Sequence, residues 1–298
     1  MMEKIVGGLR FTGEPVENCF DVRTWVCNGV MERTARQVIE WTESSLLDDG
    51  YPDIPFDDPD PVKDAEWIEE QRLKSLKASA RRAKTVCRRF IIHENFDEML
   101  TLTYRENQTD RVLCKVHFEK WCRRMKKALG GFRFCASFEA QERGAMHIHC
   151  ATHRLPPMAT YKGAKVKAWQ VGTRIWRDIV GENNGMCFVG GRNKFGAPRA
   201  QKMSLAKMAG YVSKYILKDC ETLPPEANRY SRSNGHVDAE IYTVRLSGSL
   251  AEVIAASFEC KDGDVMVSHH VSTWSNSWWL CTEREKKPGS SGSVVEFS

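Results

Sequence analysis

The stretch FRFCASFEAQERGAMHIHCAT, Phe132–Thr152, reads as two strands around a tight turn. His147 and His149 flank Ile148, so on a strand both imidazoles face one side while Ile148 points to the core. Arg143-Gly144 supplies the turn, which folds Glu139 back beside the histidines across a hairpin. Two imidazoles and one carboxylate leave coordination positions open on a divalent metal, as a catalytic site requires and a structural site avoids.

Working outward, Glu98–Tyr104 is rich in Leu, Thr and Tyr and bounded by polar residues, a strand signature. Arg111–Leu129 has helical spacing, with Val112, Val116, Phe118, Trp121, Met125 and Leu129 apolar, cations near its end, and Gly130-Gly131 to stop it. Beyond Pro156-Pro157, Lys165–Val180 reads as a helix whose Trp169 and Trp176, seven apart, share one face. Met186–Gly190 is a short strand, and 191–202 a loop bearing Arg192, Lys194, Arg199 and Lys202. Upstream, Asp60-Pro61 reads as an N-cap followed by the first helical position. That helix runs to about Arg89, with Leu73, Leu76, Ala80, Ala83 and Cys87 on one stripe. Alternation of strands and helices with a hairpin at the centre predicts an α+β fold, an antiparallel sheet with flanking helices.

A second informative stretch is SLAKMAGYVSKYILK, Ser204–Lys218, which fits a helix opened by an N-cap serine. At ~100° per residue Leu205, Ala209, Val212 and Ile216 form the apolar stripe, while Lys207, Tyr211, Lys214, Tyr215 and Lys218 gather on another side. Two phenols four residues apart are neighbours on a helix. A Tyr/Lys face opposite a metal site suits phosphoryl transfer: the phenol attacks phosphorus and the cations take up phosphate charge.

Bulk properties limit the partners. Residues 1–60 hold 5 Lys/Arg against 13 Asp/Glu, so of the 44 and 39 in the whole chain, 39 and 26 remain for 61–298, a net of +13. A basic body fits a polyanion. The 11 cysteines include no Cys-x-x-Cys pair and follow no hydrophobic leader, which points to a reducing cytoplasm and not a disulfide framework. No apolar run approaches the ~18 residues of a membrane span, and no Gly-x-x-x-x-Gly-Lys-Ser/Thr motif is present. Residues 1–61 read as an acidic segment of unassigned role, its aspartate- and proline-rich part from 48 onward an extended arm; 62–235 as the working domain; 236–298 as an extension, with His269-His270 and Trp274, Trp278 and Trp279 serving a core or partner surface or stacking on bases.

His147-Ile148-His149 after Arg143-Gly144, together with the later Tyr211/Tyr215 pair, resembles the HUH endonuclease superfamily, and within it the two-tyrosine rolling-circle replication initiators of single-stranded-DNA phages and related plasmids. Leu100–Thr103 sits where that family has its first motif, and Arg229-Tyr230-Ser231-Arg232 resembles a segment found after its tyrosine helix. The likeness covers about residues 90–235. It implies an RRM/ferredoxin-like sandwich core, with Mg²⁺ or Mn²⁺ held by His147, His149 and Glu139. Gln141 and Glu142 are the other residues of the turn that could supply the third ligand. It also implies that Tyr211 or Tyr215, among Lys214 and Lys218, cuts single-stranded origin DNA, leaving a 5′-phosphotyrosine link and a free 3′-OH. Host helicase and DNA polymerase in a bacterial cytoplasm are the implied partners, and no membrane is involved. His153 shares strand parity with the pair and is read as a surface or supporting residue. The competing readings are a single-strand transposase or relaxase of the same superfamily, in which the tyrosine usually precedes the histidines, a non-catalytic DNA-binding regulator, and a structural metal protein.

Overall fold

The computed structural model describes residues 2–6, 9–44, 61–190, 203–218, 228–258 and 263–285. In chain order the strands β1 (Met2–Val6), β2 (Leu9–Cys27) and β3 (Val30–Ser44) come first, then helix α1 (Pro61–His93). Next are β4 (Glu98–Tyr104), α2 (Arg111–Leu129), β5 (Phe134–Ala140), β6 (Met146–Thr152), β7 (Met158–Tyr161), β8 (Ala164–Lys167) and α3 (Ala168–Val180). β9 (Gly185–Val189), α4 (Leu205–Lys214) and β10 (Tyr230–Arg232) follow, and β11 (Glu240–Ser247), α5 (Leu250–Ser257), β12 (Asp264–Ser272) and β13 (Ser277–Arg284) end the chain. The α+β class expected from the sequence is the one observed. The proposed arm at 48–60 and the basic loop at 191–202 lie outside the described residues.

Residues Pro59–Asp238 form one compact unit. Its antiparallel sheet has the order β10-β5-β6-β4-β9. Strand alternation gives the sheet two faces of different character. Leu100, Leu102, Tyr104, Ala136, Phe138, Ile148 and Cys150 point to one face and make a core with Phe118, Trp121 and Met125 of α2 and Val171, Ile175 and Trp176 of α3. Cys135, Ser137, Glu139, His147 and His149 alternate with them and point to the other, where α1 and α4 pack.

Asp110 caps α2, its Oδ1 accepting from the Val112 and Leu113 amides at 2.8 and 3.0 Å, and Gly130 ends it in the left-handed region at φ 73°. Val112 and Val116, read from sequence as part of the apolar stripe, are exposed, Val112 by 73%. They lie about 120° and 160° around the helix from Phe118 at ~100° per residue, too far to share its face. Trp121 is fully buried and its Nε1 donates to the Gly172 carbonyl at 2.9 Å. Trp121→Ala is expected to cost about 3–5 kcal/mol, read as a shift of the urea midpoint.

Lys165–Lys167 are strand and not helix. They complete the β7–β8 hairpin, whose Lys162-Gly163 turn has positive φ at both residues, 51° and 81°, as a two-residue hairpin of right-handed twist demands. The helix then begins at Ala168, leaving Trp169 in its first turn 48% exposed while Trp176 is buried and donates to the Thr103 carbonyl at 2.9 Å. Helix α1 runs four residues past Arg89, burying Phe90, Ile91 and Ile92. α4 is shorter than its sequence stripe: after Lys214 the chain tightens into i→i−3 bonds, Ile216 to Ser213, Leu217 to Lys214 and Lys218 to Tyr215 at 3.2–3.3 Å.

Met1–Asp58 and Ala239–Ser298 form a second unit, so the two segments that flank the working domain in sequence pair in one sheet. Its path is β1-β2-β3-β13-β12, with β11 also paired to β2. Trp278 is a core residue there, beside Phe20, Val22, Ala35 and Leu280 and under Val253 of α5. α5 opens on a capping box between Ser249 and Glu252.

Candidate active site

The β5–β6 turn is closed by the Gly144 amide donating to the Gln141 carbonyl at 2.7 Å, with Gly144 at φ 83°, where a Cβ would be strained. This turn sets the register in which Glu139 lies directly opposite His147. Glu139 Oε2 is 2.9 Å from His149 Nε2, and its Oε1 is 2.9 Å from the Lys218 ammonium, which also donates to the Ala140 carbonyl at 3.2 Å. Of the three turn candidates, Glu139 is the one beside both histidines; Glu142 is exposed in the turn.

α4 brings the tyrosines to the same spot. Ser204 caps it, its hydroxyl accepting from the Lys207 amide, and Leu205, Ala209, Val212 and Ile216 are buried, which turns Tyr211, Lys214 and Tyr215 toward the histidine face. Ser137 fixes the helix to the sheet by donating to the Val212 carbonyl at 2.6 Å. The Tyr215 ring lies on His149 at 4.3 Å and 11°, Tyr211 meets His149 edge-on at 5.5 Å, and the two phenol rings are 5.5 Å apart. Lys214 covers both, 4.3 Å from the Tyr211 ring and 4.7 Å from that of Tyr215. The 3₁₀-like turn after Lys214 is what returns Lys218 to the carboxylate.

Charge follows from these contacts. Burial raises the Glu139 carboxyl, but hydrogen bonds from His149 and Lys218 outweigh it and hold the group at about 2. Burial lowers His147, reinforced by His149, so its imidazole is neutral with a lone pair to offer. Tyr215 is pushed up by burial, then by its hydrogen bond with Tyr211, and rests as the phenol. Because Glu139 falls from 4.5 to about 2, its stabilising contribution is full above the unfolded value and lost as pH drops through the folded one. The stability gap between the wild type and Glu139→Gln, from urea titrations, is therefore expected to be widest at neutral pH and to close between pH 4.5 and 2.

A neutral imidazole and an ionised carboxylate suit Mg²⁺ or Mn²⁺, and the buried Nδ1 of His149 has no hydrogen-bond partner. The donor chemistry fits a divalent ion. The side chains are held in mutual hydrogen bonds, not around a common point: among the described residues no group of three His, Cys, Asp or Glu is gathered closely enough to hold a metal.

His153 packs edge-on to Phe96 at 4.9 Å, apart from the cluster. Tyr230–Arg232 forms the edge strand β10, Arg232 lies over the Phe90 ring at 4.4 Å, and Arg229 is buried. The residue that sequence reading passes over is Ser137. Its position two before Glu139 on the same strand face is the available signal.

An antiparallel sheet with a His/His/Glu face under a Tyr/Lys helix defines a chain equipped for chemistry on phosphate esters. Residues 97–220 match the family model of the ORF2-type replication-associated proteins, which supports a replication-initiator role. Comparison with curated proteins and with solved structures finds no match. Among the described residues, no helix is long and apolar enough to cross a membrane.

Proposed function

We propose that the chain is a rolling-circle replication initiator of the HUH endonuclease superfamily, which nicks single-stranded origin DNA with a tyrosine and later rejoins the displaced strand. The observation that carries this reading is the convergence of Glu139, His147, His149, Tyr211, Tyr215 and Lys218 on one face of the sheet. Arrival of the tyrosines after the histidines in the chain favours an initiator over a relaxase. A non-catalytic regulator leaves two tyrosines packed on a paired histidine and carboxylate unexplained.

His147, His149 and Glu139 would hold Mg²⁺ or Mn²⁺, which when bound polarises the scissile phosphate and takes up charge on its oxygens. The phenolic oxygen of one tyrosine attacks phosphorus and the bond from phosphorus to the 3′ oxygen breaks. The phenol's proton leaves to solvent, and the departing oxygen takes up a proton to become the 3′-OH that primes a host DNA polymerase. No water enters the bond, so its energy is kept in the 5′-phosphotyrosine ester. Lys214 and Lys218 stand where they offset the phosphate charge. The second tyrosine then cuts the regenerated origin, and the released 3′-OH attacks the first ester and closes a circle. Duplex opening rests on supercoiling or a host helicase, in the cytoplasm of a bacterial host.

The test is to mix the protein with a labelled single-stranded origin oligonucleotide and Mn²⁺ and resolve the products on a denaturing gel. A covalent protein–DNA band that disappears with chelator is expected. Cleavage with no covalent band would overturn tyrosine attack in favour of hydrolysis.

A further inference from the structure

α2 and α3 lie on the face of the sheet opposite α4, so what they present to solvent is separated from the tyrosines by the whole sheet. Between these helices is a cleft of about 400 Å³ lined by Lys120, Arg123, Arg124, Asp178 and Ile179. Three cations against one carboxylate give it a net charge of +2. Asp178 is already satisfied: Arg124 Nη2 lies 2.6 Å from its Oδ2, and the Tyr161 hydroxyl donates to the same oxygen at 3.0 Å. The same Arg124 nitrogen is also 2.8 Å from the Tyr161 hydroxyl oxygen, which fixes the guanidinium at the wall. Lys120 and Arg123, in contrast, make no ion pair or hydrogen bond among the described residues. They are one turn apart on the same side of α2, with a rise of about 4.5 Å between them.

A solvated basic helix face is normally convex and laced with acidic partners. Here two uncompensated cations sit in a concavity next to an arginine whose only acid is neutralised within the wall. That arrangement fits successive phosphates of a nucleic-acid backbone, not a peptide carboxylate, which one cation would satisfy.

We propose that this cleft is a second DNA contact, holding the backbone of a strand that extends past the nicking site to the reverse face of the unit. The identity of the polymer rests on the reading of the chain as a DNA-acting initiator; the charge and shape of the cleft do not. Such a contact adds affinity for long strands only, because a short oligonucleotide that fills the tyrosine site does not reach the far side of the sheet.

The experiment compares the full chain with Lys120→Gln/Arg123→Gln and, as a stronger perturbation, Lys120→Glu/Arg123→Glu. Fluorescence anisotropy is read over a salt series with single strands of ~10 and ~40 nucleotides. Affinity of the neutral variant for the long strand is expected to fall about 10-fold, and the slope of log affinity on log salt to lessen by about 1.4, or ~0.7 for each of two phosphate contacts. Affinity for the short strand and the yield of covalent adduct on it are expected to stay at wild-type level. Equal affinity and slope for the long strand in the neutral variant, with a wild-type unfolding midpoint, would overturn the proposal. So would an equal loss on both strands, which would place the two cations in the nicking site. Absence of any adduct in the wild type, with the length-dependent loss intact, would sink the nicking reading and leave this contact standing.

Discussion

Replacing Tyr211 and Tyr215 together by phenylalanine is expected to abolish the covalent protein–DNA adduct, a loss of at least about 10³-fold in single-turnover rate. The substitution removes two oxygens and little else. Both rings keep their packing, since the Tyr215 contact with His149 at 4.3 Å and the Lys214 contacts at 4.3 and 4.7 Å are made by ring faces. DNA affinity and the unfolding midpoint should therefore stay near wild type, which separates lost chemistry from lost structure. Each single variant retains one nucleophile against the same phosphate position, so each should still form an adduct once. Neither should complete the second cut that releases a closed circle. An adduct that persists in the double variant would refute tyrosine attack at this site, and mapping its attachment by mass spectrometry would name the true nucleophile.

The divide between what is legible in sequence and what is not follows the range of the interactions. Parity on β6 assigns His147 and His149 to one face and Ile148 to the core, because alternation is a property of the strand itself. The caps at Asp110 and Ser204 and the stop at Gly130 are equally local, and α2 begins and ends where its residues dictate. Rotation about a helix is less legible: Val112 and Val116 are apolar, but only the sheet decides which stripe is covered. Lys162-Gly163 lacks the usual asparagine or aspartate of a hairpin turn, so spacing alone merges β8 into the following helix. The sheet joining the N- and C-terminal segments depends on pairs more than two hundred residues apart, such as Glu240 with Val26, for which a single sequence carries no pattern. In the candidate site, all seven residues singled out from sequence meet. What no spacing rule contains is their bonding: Lys218 reaches Glu139 only because α4 ends at Lys214 and the chain tightens after it.

That bonding makes the two histidines unequal as experiments. His149→Ala is expected to abolish cleavage, but it also removes the hydrogen bond to Glu139 and the surface on which Tyr215 lies, so a folding cost of about 1–3 kcal/mol accompanies it. His147 is half-buried, lies opposite Glu139 and contacts the His149 ring edge at 6.4 Å, without either of those attachments. His147→Ala therefore isolates the proposed ligand role. It should lower the single-turnover rate by at least about 10²-fold, and should weaken Mn²⁺ binding as followed by electron paramagnetic resonance. Salt-sensitive affinity for single-stranded DNA should remain within about twofold, because lysine and arginine contacts to phosphate supply most of it. If His147→Ala lost DNA affinity and cleavage in parallel while staying folded, the imidazole would be a DNA contact. If it lost neither, the metal would be held without it, and Glu139 with His149 would be the pair to examine next.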